Sequence, residues 1–143
     1  MDKYVLVMSE PLTVPQFDKL PEKAGIYIVY AATRFAVSEI FKTRRLLYIG
    51  ESKKIALRVD VADRINEWEQ LLKENEQIQV TYCKTETYDR ERCEAALIYH
   101  HRTKLKQNNP DGNKEHMENF GYEKTTIELK GFVGELDSTF TEQ

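Results

Sequence analysis

Cysteine is scarce in this chain of 143 residues: Cys83 and Cys93 are the only two, and they lack the CxxC spacing of a zinc site. A single pair makes no disulfide scaffold, so both read as reduced packing residues. Long apolar runs are missing as well. The opening run Tyr4–Met8 is too short for a signal-peptide core and has no cleavage pattern, and no stretch reaches membrane length. These absences lead us to expect a cytoplasmic chain with no membrane partner. Repeats and low-complexity segments are absent, and 31% charged beside 41% hydrophobic residues is a balance that excludes disorder. The length fits one domain over 1–143, with its core at about 20–113 and an extension over 114–143.

An overall basic excess is also lacking, since the formal net charge is −3. The charge is nevertheless uneven. Residues 34–64 carry eight basic and four acidic side chains, and residues 90–106 carry five and two; the remaining stretches are acidic. Such segments either hold an anion that the rest of the surface repels or are simply solvated faces.

Two short runs organise what is present. Gly25-Ile26-Tyr27-Ile28-Val29-Tyr30 and Leu46-Leu47-Tyr48-Ile49-Gly50 are β-branched and aromatic, as strands require. Paired antiparallel, they would offer the hydroxyls of Tyr27 and Tyr48 to one point. Ala31–Arg45 between them reads as a basic connection, with a helical turn or two over Arg34–Phe41. Before them come a short strand and a loop punctuated by Pro11, Pro15 and Pro21.

After Gly50 the period changes. Ser52 reads as an N-cap, and Ile65, Trp68 and Leu72 share one side of a helix reaching about Lys73. Alternation at 55–61 leaves the start of that helix open, and Asn75–Gln77 stops it. Ile78–Thr85 reads as a third strand, and Asp89 as the cap of a helix from Arg90 to about Lys106. Asn108–Asn113 has turn chemistry, and Thr125–Leu136 reads as a β-arm before a polar tail. The expected fold class is α+β: a small central antiparallel β-sheet of about three strands flanked by helices, with an added C-terminal β-arm.

Glu94 is the residue that most needs a reason. Leu97 and Ile98 follow it at +3 and +4, which puts its carboxylate on or beside the inward face of its helix. Ionised carboxylates are rarely buried without a partner or a metal. His100 and His101 are adjacent, so on a helix they would point apart and share no metal, and His116 lies beyond the loop. Phe35, Phe41 and Tyr99 interleave with the positive segments, in positions suited to core packing or base stacking.

Gly25-Ile26-Tyr27, Tyr48-Ile49-Gly50, Arg58 eight residues beyond Gly50, and Glu94 with Leu97-Ile98 together resemble the GIY-YIG nuclease family over residues 20–113. The resemblance implies hydrolysis of a DNA phosphodiester with one divalent ion, Mg2+ or Mn2+, on Glu94. It implies that Arg58 neutralises phosphoryl charge and that Tyr27 orients and deprotonates the attacking water, with Tyr48 in support; the reverse assignment of the tyrosines stays open. Arg34, Lys42, Arg44, Arg45, Lys53 and Lys54 would grip backbone phosphates; the asparagine that closes the motif falls by strict spacing on Lys106, so Asn108, Asn109 or Asn113 would serve only with a longer loop. Specificity would come from DNA structure, a homodimer or a partner protein, in a repair, restriction or mobile-element role.

The chain departs from that family's pattern at Ala62, where a histidine or tyrosine is usual, and at Glu51, where some members carry lysine. A nucleic-acid-binding or regulatory module that keeps the fold without cutting is therefore the alternative. A domain with ordinary core tyrosines and no DNA affinity is a third reading.

Overall fold

The computed structural model describes residues 2–34, 41–85, 87–105 and 125–142. Among them the fold is mixed α+β, with four helices and two sheets. None of those helices is long and apolar enough to cross a membrane. The tyrosine runs form the centre: β3 (Gly25–Arg34) pairs antiparallel with β4 (Phe41–Ser52) on one side and with β5 (Glu76–Lys84) on the other. The two-residue strand β2 (Leu12–Thr13) extends the sheet beyond β5, giving the order β2-β5-β3-β4. The sheet thus has four strands where about three were expected. The tyrosine hairpin is also longer than its apolar runs, because β3 continues to Arg34 and β4 starts at Phe41. The helical turn expected over Arg34–Phe41 is strand at both ends, and residues 35–40, including Phe35, lie outside the described residues.

Positions 26–32 of β3 are buried throughout because both faces of the sheet are covered. On one face Tyr27, Val29 and Ala31 meet a 3-10 helix (Val14–Lys19), α1 (Ile55–Val59) and α2 (Ala62–Glu69). On the other, Ile26, Ile28 and Tyr30 meet α3 (Thr87–His100). A β-bulge between Val29 and Tyr30 gives β4 one extra residue, so Leu47 and Tyr48 both turn toward the α1–α2 face.

The single helix expected to about Lys73 is two. Ile55 and Val59 are buried one turn apart while Leu57 and Val61 are exposed, and Asp60–Val61 leaves helical geometry before α2 begins. That break is the source of the alternation at 55–61. Lys54, not Ser52, occupies the cap position; the Ser52 hydroxyl instead accepts from the Lys54 N–H at 3.0 Å. Asp89 lies inside the first turn of α3, and that helix ends at His100 rather than near Lys106.

The C-terminal arm is part of a second sheet. β6 (Thr125–Gly131) pairs parallel with the N-terminal strand β1 (Asp2–Met8) and antiparallel with β7 (Thr139–Glu142), in the order β1-β6-β7. The segment read as a polar tail therefore contains a strand, and Phe140 is why: it is buried and stacks on His100 with ring centroids 3.9 Å apart. Beside it His101 donates from Nδ1 to the Leu97 carbonyl at 2.9 Å and accepts from the Asp137 N–H at Nε2, at 3.0 Å. Burial above all holds His101 neutral, its pKa pushed down to about 4. The unfolded chain takes up this proton first as pH falls, so the stability it contributes is full above pH 6.5 and drains toward pH 4. Relative to His101→Gln, the wild-type chain is expected to lose up to about 3 kcal/mol of stability to urea across that window, the other titrating groups being common to both.

Candidate functional site

Register and twist place Tyr27 opposite Gly50 and Val29 opposite Tyr48, which makes the two tyrosines diagonal neighbours on one face. Their rings stack at 6.0 Å between centroids and 20° between planes. Trp68 on α2 closes against both, 6.3 Å from Tyr27 and 5.9 Å from Tyr48. Gly50 is a condition of this stack. A Cβ there would lie 2.5 Å from the Tyr27 hydroxyl and 2.8 Å from Cε1 of Tyr48. Gly25 is confined in the same way, since its Cβ would meet the Cys83 carbonyl and come 2.7 Å from Cδ1 of Ile55.

Tyr27 is buried and Tyr48 half-buried. Burial, then the neighbouring Tyr48, pushes the Tyr27 phenol well above the ordinary tyrosine range, and Arg64 and Arg58 oppose that rise. Arg58, exposed on α1, donates to the Tyr27 oxygen. Tyr27 is thus a protonated donor at neutral pH rather than a ready base. Arg64, half-buried on α2, stands over the Tyr48 ring at 5.7 Å. Neither Arg64 nor Trp68 was singled out from the sequence as part of the site. The signal was the four-residue step between them, which puts both on one side of α2.

Lys53 and Lys54 are exposed and line a hollow of about 400 Å³ with Ser52, Leu57 and Arg58. The other expected phosphate contacts are placed elsewhere. Arg44 donates to Gln79 at 2.8 Å and lies over the Phe132 ring at 4.7 Å. Arg45 makes a two-pronged contact with Glu76, at 2.8 and 3.3 Å, and donates to the Leu71 carbonyl at 2.8 Å. Arg44 and Arg45 brace the frame of the protein. Arg34 and Lys42 fall at the far end of the β3–β4 ladder, and Asn108 and Asn109 lie outside the described residues.

Glu94 reaches the same stretch of β4 from the α3 side, its carboxylate accepting from the Glu51 backbone N–H. The acid and the phenols thus lie on opposite faces of β4, the last strand of its sheet among the described residues. Burial, then Glu51 and Glu91, pushes the Glu94 carboxyl up to about 8. The Glu51 carboxylate is itself paired with Arg90, which is 1% exposed. Arg90 lies one helical turn before Glu94, and that step was the only trace of it in the sequence.

A half-buried carboxylate raised by a second carboxylate beside it suits a hard divalent cation, which takes few acids and keeps several waters. His100, His101 and Asp137 also come together, their ligand atoms within 4.8 Å of one another. The two histidine rings lie with centroids 4.8 Å apart, contrary to the expectation that they point apart. Both ring nitrogens of His101 are engaged, however, so it has no lone pair to offer a metal.

The stack makes position 50 a test of the geometry. Gly50→Ala is expected to cost about 1–3 kcal/mol by overpacking and to shift the emission of Trp68; unchanged urea midpoint and emission would contradict it. Comparison with protein-family models, with curated proteins and with solved structures finds no match to this chain.

Proposed function

We propose that this protein is a metal-dependent DNA endonuclease of the GIY-YIG type, which hydrolyses a phosphodiester with one divalent ion. The observation that carries the reading is that two stacked phenols, with Arg58 and Arg64 beside them, border Gly50 on one face of β4, while Glu94, an acid with a raised proton affinity, stands at the next residue, Glu51, from the other face. Glu94 would hold the ion, Mg2+ or Mn2+. Bound there, such an ion supplies Lewis-acid polarisation of the phosphoryl group. The reaction adds a water oxygen to phosphorus and breaks one P–O ester bond; the attacking water gives its proton to bulk solvent and the departing alkoxide takes one from it. Tyr27, kept protonated by burial, donates its hydroxyl hydrogen to an oxygen at the reacting centre, while Arg58 neutralises charge on the phosphoryl oxygens. That assigns Tyr27 to orienting and leaves Tyr48, the more accessible phenol, nearer the water. Lys53 and Lys54 grip the flanking backbone, which positions DNA without reading its sequence.

One observation favours the second reading, a binding module that does not cut. Ala62 is exposed at the start of α2 and brings no functional group to the tyrosines, and Glu51 adds an acid where a cation would aid a phosphate.

Nicking of supercoiled plasmid with Mg2+ or Mn2+ tests the proposal. Glu94→Ala and Tyr27→Phe are each expected to lower the rate about 100-fold or more. Tight, salt-dependent binding without nicking would favour the second reading, and nicking that survives Glu94→Ala would remove the acid from the site. Because the Glu94 carboxyl must lose a proton to hold a cation, the rate at limiting metal is expected to climb up to pH about 8. Raising the metal concentration should shift that rise to lower pH.

A further inference from the structure

We propose that Arg64 is a second phosphate-binding cation of this site, holding with Arg58 the non-bridging oxygens of a phosphodiester laid against the tyrosine pair. The inference rests on the nuclease reading above and adds to it a residue that the family resemblance does not supply.

Three features of the molecule lead there. The break at Asp60–Val61 turns α2 away from the line of α1, so that Ala62 faces solvent and the side chain two positions on comes back over the phenols. Arg64 and Arg58 then line one hollow of about 300 Å³ together with Leu57, Val61, Asp63 and Glu67. The hollow pairs two guanidinium groups, faced by the carboxylates of Asp63 and Glu67, with two exposed apolar side chains, Leu57 at 60% and Val61 at 41% exposure. A nucleotide has that same division into a charged phosphate and a less polar sugar and base.

The environment of Arg64 also leaves its donors usable. Its charge sits over the Tyr48 ring, a contact that draws on the ion's charge and not on its N–H groups. Its ion pair with Glu67 is 3.7 Å long and spans one turn of a helix whose Glu67 is two-thirds exposed, so it is weak and easily exchanged. Arg58 already donates to the Tyr27 hydroxyl, so one of its five N–H groups is in use before substrate arrives. Both guanidiniums thus stand at the pair of phenols, Arg64 over the Tyr48 ring and both within electrostatic reach of Tyr27. A phosphoryl group gains negative charge toward its transition state, and two forked cations spread that charge better than one.

The experiment uses the full chain and two readouts: nicking of supercoiled plasmid in Mg2+, and binding of a short DNA duplex in EDTA followed by the emission of Trp68, the chain's one tryptophan. Arg64→Gln is expected to lower the nicking rate about 10- to 100-fold, weaken binding about 10-fold and reduce the slope of log K against log salt by about 1. Arg64→Lys should recover binding more than rate, because an ammonium keeps the charge and loses the fork. Glu67→Gln, which releases Arg64, should tighten binding a few-fold. Lys130→Gln, an exposed cation on β6, is the control and should change neither readout. Arg64→Gln with wild-type rate, affinity and salt slope overturns the inference, as does a variant that only unfolds more easily in urea while Arg64→Lys and Glu67→Gln behave as wild type. A wild-type chain that neither nicks nor binds DNA overturns the nuclease reading itself and this inference with it, and that result is read before any variant is made.

Discussion

A phenol lying flat across a glycine is the constraint on which this structure depends. Tyr27 on β3 crosses β4 at Gly50, and there is no room for a single methyl between them. Once that crossing is fixed, the register of the hairpin is fixed, because a one-residue slip would send every β3 side chain to the opposite face. The bulge beside Val29 then brings Tyr48 to the same face as Tyr27. Trp68 seals the pair, and α2 must follow the break after α1 to deliver it.

That packing has an electrostatic consequence. A hydroxyl withdrawn from water resists ionisation, and the second phenol beside it adds to the resistance. The guanidinium groups of Arg58 and Arg64 work in the opposite direction. The site is therefore a balance of desolvation against nearby positive charge, and it favours proton donation over proton abstraction by Tyr27. On the far side of β4 the same balance reappears with its signs reversed. Arg90 is buried against Glu51, and burial, then the carboxylates of Glu51 and Glu91, keeps the proton affinity of Glu94 elevated although Arg90 opposes them. The buried arginine and the partly exposed acid hold each other in place at a desolvation cost.

Basic residues close in sequence have unlike fates here. Lys53 and Lys54 remain at the mouth of the site, while Arg44 and Arg45, only a few positions earlier, brace β4 against Gln79 and Glu76. A count of charges along the chain cannot separate them. Neighbours on a strand point to opposite faces, and each arginine meets whatever polar group its face offers.

Local pattern was enough to determine several things about this protein: two β-branched tyrosine runs that pair, a third strand near Val80, an inward-leaning Glu94, and glycines at 25 and 50 that bound the two runs. These follow from side-chain shape and short-range periodicity, which need no partner to be read. Tertiary structure decided the remainder. Whether Phe140 belonged to a tail or a strand depended on His100, forty residues away, and the second sheet depended on the N-terminal strand finding β6. The helix break at Asp60, the turn of His101 toward Asp137, and the arrival of Arg64 over Tyr48 are likewise outcomes of packing between distant elements. Periodicity shows which face of an element is apolar; only the element that covers that face determines what the polar groups along its edge will touch.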